Sequence, residues 1–327
     1  MPDEKLVNAL TKAAQMGYVH LDGAEIYNTE RELGKAIKAS KIPREKLYIT
    51  TKVQSNIDNI PGAIDASLKN LGLDYVDLYL IHSPFFAKGD LSLLQEKWRE
   101  MEEVKKSGKA RSIGVSNYFP HHLDAVLKIA IYPPVINQVE FHPYLAGYKL
   151  EYQSIDGEDE KTRKKKIDED NKAKIPLLSY HKRNNIILSA YGPLTPITNR
   201  AAREKGGPLI IDNSSSRSDG NTASPPDNKS AASADSQNTS TSMVLPQLAR
   251  KYYVSPAEIL LRWCLDFDIV PITTTSDYQR MSDYIRVLAF RLTPRELDEL
   301  TDVGRDFVFR RYTSDFNTGQ EKRDRSQ

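Results

Sequence analysis

Apolar residues recur along this chain with two alternating periods. From 3 to 16, Leu6, Ala9, Leu10, Ala13 and Ala14 fall at helical spacing and Gly17 supplies a stop signal, so the sequence opens on a helix. YVHLDGA (18–24) then reads as a short strand, and 28–39 as a helix with Leu33, Ala36 and Ile37 on one face. The exchange repeats, with strands expected at 47–53, 76–82 and 110–117 and helices after them at 57–71, 91–107 and 120–131. Further strands are expected at 135–141, 186–192 and 268–274, with helices near 174–184, 243–252 and 277–288. Repeated βα units predict a parallel sheet covered by helices, either a barrel or a doubly wound open sheet. No Gly-x-Gly-x-x-Gly turn follows an early strand, so the open dinucleotide-binding sheet lacks its most characteristic feature and an eight-stranded (β/α)8 TIM-type barrel is preferred.

Two segments break the rhythm. About 147–174 contains GEDEKTRKKKIDEDNKAK, a dense mixture of charges with few apolar anchors, which fits a solvated helix and a loop equally well. About 213–242 is rich in Ser, Asn and Asp and nearly lacks large apolar residues, so it cannot offset the entropy of ordering and is expected to be disordered. The organisation read from this is one barrel domain over 1–312 carrying both inserts, followed by a polar tail at 313–327.

The 327 residues are 39% hydrophobic, enough for a substantial core. Forty-six Lys plus Arg against forty-four Asp plus Glu give a net charge of +2, which advertises no nucleic-acid partner. A single cysteine, Cys264, excludes an internal disulfide framework and a cysteine-based zinc site. No apolar run approaches the roughly 20 residues of a membrane span, and no apolar signal core opens the chain. A cytoplasmic protein without membrane attachment or bound metal is expected.

In a βα barrel the site forms where strands end, so polar side chains there are candidates. Asp22 closes the first strand, Tyr27 lies in the loop after it, Lys52 is near the end of the second and His82 ends the third. Each alone has an ordinary structural role available; their convergence on one rim is what points to chemistry. Asp22 would offset the cost of burying the Lys52 ammonium. That ammonium is expected to lower the proton affinity of Tyr27 toward the working pH and make it a general acid, with His82 orienting a carbonyl oxygen.

These residues carry a resemblance to the aldo-keto reductases. Gly17 to Ala24, with Tyr27 and Glu30, is similar to that family's first signature, with Val19 where arginine is usual, and GKARSIGVSNY (108–118) is similar to its second. ITTK, LIHSP, NQVEFHPY and SAYGPL extend the likeness through nearly the whole chain outside the inserts. The resemblance implies an NADPH-dependent reductase of aldehydes or activated ketones, in which Tyr27 donates the proton, Lys52 and Asp22 tune it and His82 positions the small-molecule carbonyl substrate. It further implies that Ser116, Asn117 and Gln138 bind the nicotinamide carboxamide, that Tyr191 stacks on its ring, and that Gly192, Pro193 and Leu194 follow the pyrophosphate. At the adenosine end Thr274 stands where the family usually has lysine, leaving Thr275, Ser276 and Arg280 to meet the 2'-phosphate. VPITTTS resembles the fungal branch that reduces conjugated polyketones, keto lactones and α-keto amides.

The family's opening hairpin and first strand have no counterpart ahead of the first helix, so one stave is expected to be missing, through a start lying upstream or through truncation. A cofactor-binding barrel with little or no catalysis, in the manner of potassium-channel β-subunits or of a truncated pseudo-enzyme, stays open as the alternative. Phe85, Phe86, Trp98 and the segment after Phe307 are expected to line the rim, or to be packing residues.

Overall fold

The computed structural model describes residues 3–151, 159–205, 207–209 and 243–312. Its seven strands are β1 (His20–Asp22), β2 (Tyr48–Val53), β3 (Val76–Ile81), β4 (Ala110–Ser116), β5 (Ile136–Glu140), β6 (Ile187–Tyr191) and β7 (Val270–Ile272). All pairings are parallel and the spatial order is the sequence order. The helices begin with α1 (Glu4–Gln15), α2 (Glu30–Ser40), α3 (Ile60–Leu71), α4 (Leu91–Lys106), α5 (Pro120–Leu127), α6 (Glu160–Asp170) and α7 (Pro176–Arg183). They continue with α8 (Thr195–Thr198), α9 (Arg200–Glu204), α10 (Val244–Tyr252), α11 (Pro256–Asp266), α12 (Tyr278–Ile285) and α13 (Pro294–Arg305).

This is the expected TIM-type barrel with seven staves, and β1 and β7 are not hydrogen-bonded to each other. Among the described residues each of these edge strands pairs on one side only, and each is shorter than the sequence pattern predicted. Side-chain and helix contacts join the two edges instead: α1 packs on α12, and the Tyr18 hydroxyl donates to the Met281 carbonyl at 2.7 Å.

Leu78, Leu80 and Ile136 form a small apolar group inside the barrel, where Gly114 is required by space. A Cβ at Gly114 would lie 2.7 Å from both the Cγ2 and the carbonyl oxygen of Ile136. The larger apolar clusters lie between sheet and helices, the first around Trp98 and Tyr79, the second around Trp263 and Phe141.

Within the charged insert, α6 decides between the two readings left open. It is a helix capped by Asp159, and it is not wholly solvated, because Arg163, Ile167 and Asp170 are buried. Arg163 pairs with Asp124 on α5, and Arg183 of α7 reaches Asp170 at 2.5 Å, so opposite charges seat the helix on its neighbours. Asn171 closes the base of the insert, accepting from the Leu150 amide at 2.7 Å and donating to its carbonyl at 2.9 Å. The 213–242 segment and the 313–327 tail lie outside the described residues.

Candidate active site

The C-terminal ends of the strands build the site. Main-chain bonds carry the ladder one residue past several strands: Gly23 N–H donates to Thr50, His82 N–H to Val53 and Asn117 N–H to Gln138. Tyr27 ends a 3-10 turn, Glu25–Tyr27, which Asn28 closes in the left-handed conformation that Asn tolerates. The Glu25 carboxylate ties that turn to the loop after β2, accepting from the amides of Gln54 at 2.6 Å and Asn56 at 3.0 Å.

Lys52 is fully buried, and its ammonium donates to Asp22 Oδ1 and to the Gly23 carbonyl at 2.8 Å. The other Asp22 oxygen accepts from the Gln138 side-chain amide at 2.8 Å. Tyr27 presents its hydroxyl 3.5 Å from His82 Nε2, with the two rings edge-on, and the Lys52 ammonium lies 5.4 Å from the Tyr27 ring centre. His82 Nδ1 is buried without a hydrogen-bond partner among the described residues.

Ser116 donates to the Gln138 carbonyl at 2.7 Å, and Asn117 donates to the His82 carbonyl at 3.0 Å and to Ser116 Oγ at 3.1 Å. The Tyr191 hydroxyl donates to Asn117 Oδ1 at 2.8 Å, fixing that ring. Asp22, Tyr27, Lys52, His82, Ser116, Asn117, Gln138 and Tyr191 are therefore brought together. Gly192 follows in the left-handed conformation, and Pro193 and Leu194 lead into α8.

The electrostatics differ from expectation at Tyr27. Its pKa is raised to about 12, first by burial and then by the Asp22 carboxylate, rather than lowered by Lys52. The lysine's charge is matched in direct contact by Asp22, so little of its field is left for the phenol. His82 is pushed down to about 4, first by burial and then by Lys52, and is neutral at ordinary pH.

Thr274, Thr275, Ser276 and Arg280 sit apart from this network, in the loop after β7 and the first turn of α12. Thr274, Ser276 and Arg280 are exposed, and Thr275 Oγ1 accepts from the Asp277 amide at 3.1 Å. Arg280 faces Asp277 at 3.5 Å, an exposed pair too weak to commit the guanidinium.

Trp98 is not a rim residue. It is fully buried, and its indole N–H donates to the Tyr132 carbonyl at 3.2 Å. Phe86 packs on the core, while Phe85 lines a surface hollow of about 240 Å³ with Phe119, His121 and His122. Glu25 was missed by sequence reasoning, which had no signal for it beyond its place two residues before Tyr27. Among the described residues no cluster could hold a metal ion, and no helix is long and apolar enough to cross a membrane.

The fold and this rim define a family. The Aldo/keto reductase family model matches residues 1–305, and the chain belongs to that family. The chain is 33% identical over 299 residues to the NAD/NADP-dependent indole-3-acetaldehyde reductase of Schizosaccharomyces pombe, covering 91% of this chain and 84% of that protein. It is 32% identical over 304 residues to the NADPH-dependent alpha-keto amide reductase of Saccharomyces cerevisiae, covering 91% and 79%. Among solved structures, a Bombyx mori aldo-keto reductase in complex with NADP matches with a TM-score of 0.67 and 27% identity, over 95% of this chain and 86% of that one. An aldo-keto reductase from a Medee basin deep-sea metagenome library matches with a TM-score of 0.69 and 28% identity, over 96% and 90%.

Proposed function

We propose that this protein is an NADPH-dependent reductase of a small aldehyde or activated ketone, of the α-keto amide or α-keto lactone kind, acting in the cytoplasm. The observation that carries the reading is the Tyr27 hydroxyl facing His82 Nε2 at 3.5 Å beside the buried Lys52–Asp22 pair. Residues 1–312 form its one barrel domain, with 313–327 a polar tail.

The residues fit the cofactor at both ends. Gln138 spends its amide N–H on Asp22, and its side-chain oxygen has no partner among the described residues, so it can accept from a carboxamide. Tyr191 is held by Asn117 as a fixed platform for a flat ring, and Arg280 offers a guanidinium to a phosphate. When bound, the reduced dinucleotide supplies the hydride that goes to the carbonyl carbon.

Tyr27 and His82 then act on the carbonyl oxygen. The imidazole, neutral and with its proton on Nε2, donates to that oxygen and orients it. Tyr27 transfers its phenolic proton as the alkoxide forms. A pKa of about 12 does not prevent this, because an alkoxide is about as basic as hydroxide and so a far stronger base than the phenolate. The transfer runs downhill. Tyr27 regains its proton from solvent before the next turnover, and the products are an alcohol and the oxidised cofactor.

The non-catalytic alternative is not favoured, since the named relatives are reductases. Loss of NADPH absorbance with a panel of α-keto amides, α-keto lactones and aldehydes is the test. Turnover of at least one of these substrates is expected. Tight NADPH binding with no oxidation across the panel would instead support the binding-only barrel.

A further inference from the structure

Glu140 ends β5 two residues beyond Gln138, on the same face of the strand, and its side chain is completely buried. Its carboxylate reaches far along the chain. Oε1 accepts from the Arg311 amide at 2.6 Å, and Oε2 accepts from the Tyr312 amide at 3.1 Å. His142, also fully buried, places Nε2 3.3 Å from Oε1. Burial holds this imidazole below its ordinary pKa, so it carries one proton. A carboxylate can only accept, which assigns that proton to Nε2. Three donors thus converge on one anion, and two of them are main-chain groups of the segment after α13.

That segment meets the cofactor platform. The Tyr312 ring lies 5.6 Å from the Tyr191 ring at 74°, edge-on. It also closes on Gly192, where an added Cβ would come within 3.1 Å of Tyr312 Cε2. At its base the segment leaves α13, which packs on the turn Pro143–Leu145 directly after His142. Phe307 continues that contact with its ring 4.7 Å from Tyr144. The base is fixed by packing and the tip by the Glu140 carboxylate. Because the carboxylate binds main-chain N–H groups, it sets the path of the backbone whatever side chains stand at 311 and 312.

We infer that Glu140 is a positioning residue, which fastens the segment Phe309–Tyr312 so that Tyr312 closes over Tyr191 and Gly192 and slows release of the dinucleotide. This rests on the reading that Tyr191 and Gly192 hold the cofactor.

The test is the dissociation rate of NADPH from the whole protein, followed by stopped-flow fluorescence, with thermal unfolding of the cofactor-free protein alongside. Glu140→Gln keeps the shape but turns an NH2 group toward one of the segment's donors. Tyr312→Ala leaves Glu140 untouched and keeps the inference testable should the first variant fold poorly. Both are expected to release NADPH about tenfold faster, Glu140→Gln through a lost charge-assisted hydrogen bond and Tyr312→Ala through the lost ring contact, and to raise KM for NADPH more than they change the single-turnover rate. Release at the wild-type rate in Tyr312→Ala, with Glu140→Gln losing only thermal stability, would overturn the inference and leave the enzyme reading intact. Failure of the wild-type protein to bind NADPH would overturn both.

Discussion

The side-chain amide of Gln138 donates to Asp22 across 116 residues of sequence, at 2.8 Å, while Lys52 holds the other oxygen of the same carboxylate. One anion therefore supports both the buried ammonium and the side chain proposed to bind the nicotinamide carboxamide. Asp22→Ala leaves Lys52 buried and uncompensated, and is expected to cost about 3 to 5 kcal/mol of stability and to weaken NADPH binding. Adding Lys52→Met to that variant should restore much of the stability, since no charge is then left buried, without restoring turnover. Thermal unfolding and cofactor titration of the single and double variants check both parts.

Tyr27→Phe removes the transferable proton and little else, because among the described residues the hydroxyl's one hydrogen-bond partner is His82, at the long distance of 3.5 Å. The expected result is a fall in kcat of about 10² to 10⁴ with NADPH affinity nearly unchanged. A parallel loss of cofactor binding would count against the assigned role.

The pH dependence follows from two opposed shifts. Tyr27, raised to about 12, stays protonated and able to donate throughout the ordinary range, so carbonyl reduction should show no titration near neutrality. His82 is neutral in the fold down to about 4, against an ordinary value of 6.5. The unfolded chain binds that proton first, so the stability His82 contributes is complete above about 6.5 and is lost as pH falls toward about 4. Several buried histidines share this behaviour. The comparison that isolates His82 is therefore the difference in unfolding midpoint between wild type and His82→Gln across pH 4 to 7, which should shrink as the solution becomes acidic.

Arg280→Ala tests the adenosine end. Its guanidinium is exposed, and its pairing with Asp277 at 3.5 Å is weak, so removing it should change stability little. NADPH affinity is expected to fall roughly ten- to a hundredfold while NADH affinity changes far less. Equal losses for both cofactors would contradict a phosphate contact.

Glu296 tests the fold away from the site. It closes a capping box with Thr293 at the start of α13 and also takes hydrogen bonds from Lys251 and Tyr252 of α10. These donors outweigh burial and hold its pKa down to about 2, so its contribution is present above the ordinary carboxylate range and lost as pH falls toward 2. Glu296→Ala should cost about 1 to 3 kcal/mol, read as a lower unfolding midpoint at pH 7 with unchanged cofactor affinity.

Periodicity in the sequence was sufficient for the alternation of strands and helices and for a parallel sheet, the lack of a Gly-x-Gly-x-x-Gly turn favoured the barrel, and the strand ends picked out the four residues at the rim. Each of those follows from local spacing and from the rule that strand ends carry the chemistry. Among the helices that escaped that reading, α11 and α13 did so although their capping boxes, Ser255-Pro-Ala-Glu258 and Thr293-Pro-Arg-Glu296, stand in plain sequence. Other features had no local signal. Trp98 belongs to the core because helix α4 turns it inward. The proton affinity of Tyr27 is set first by its burial and then by the nearby Asp22 carboxylate, both of which depend on the folded surroundings rather than on residue type. Glu140 looks like any strand-end carboxylate until the chain returns, 171 residues later, to place two amides on it. Spacing along a chain fixes which face a side chain occupies, whereas charge balance and partnership are decided by distance in space, and only the folded barrel supplies that distance.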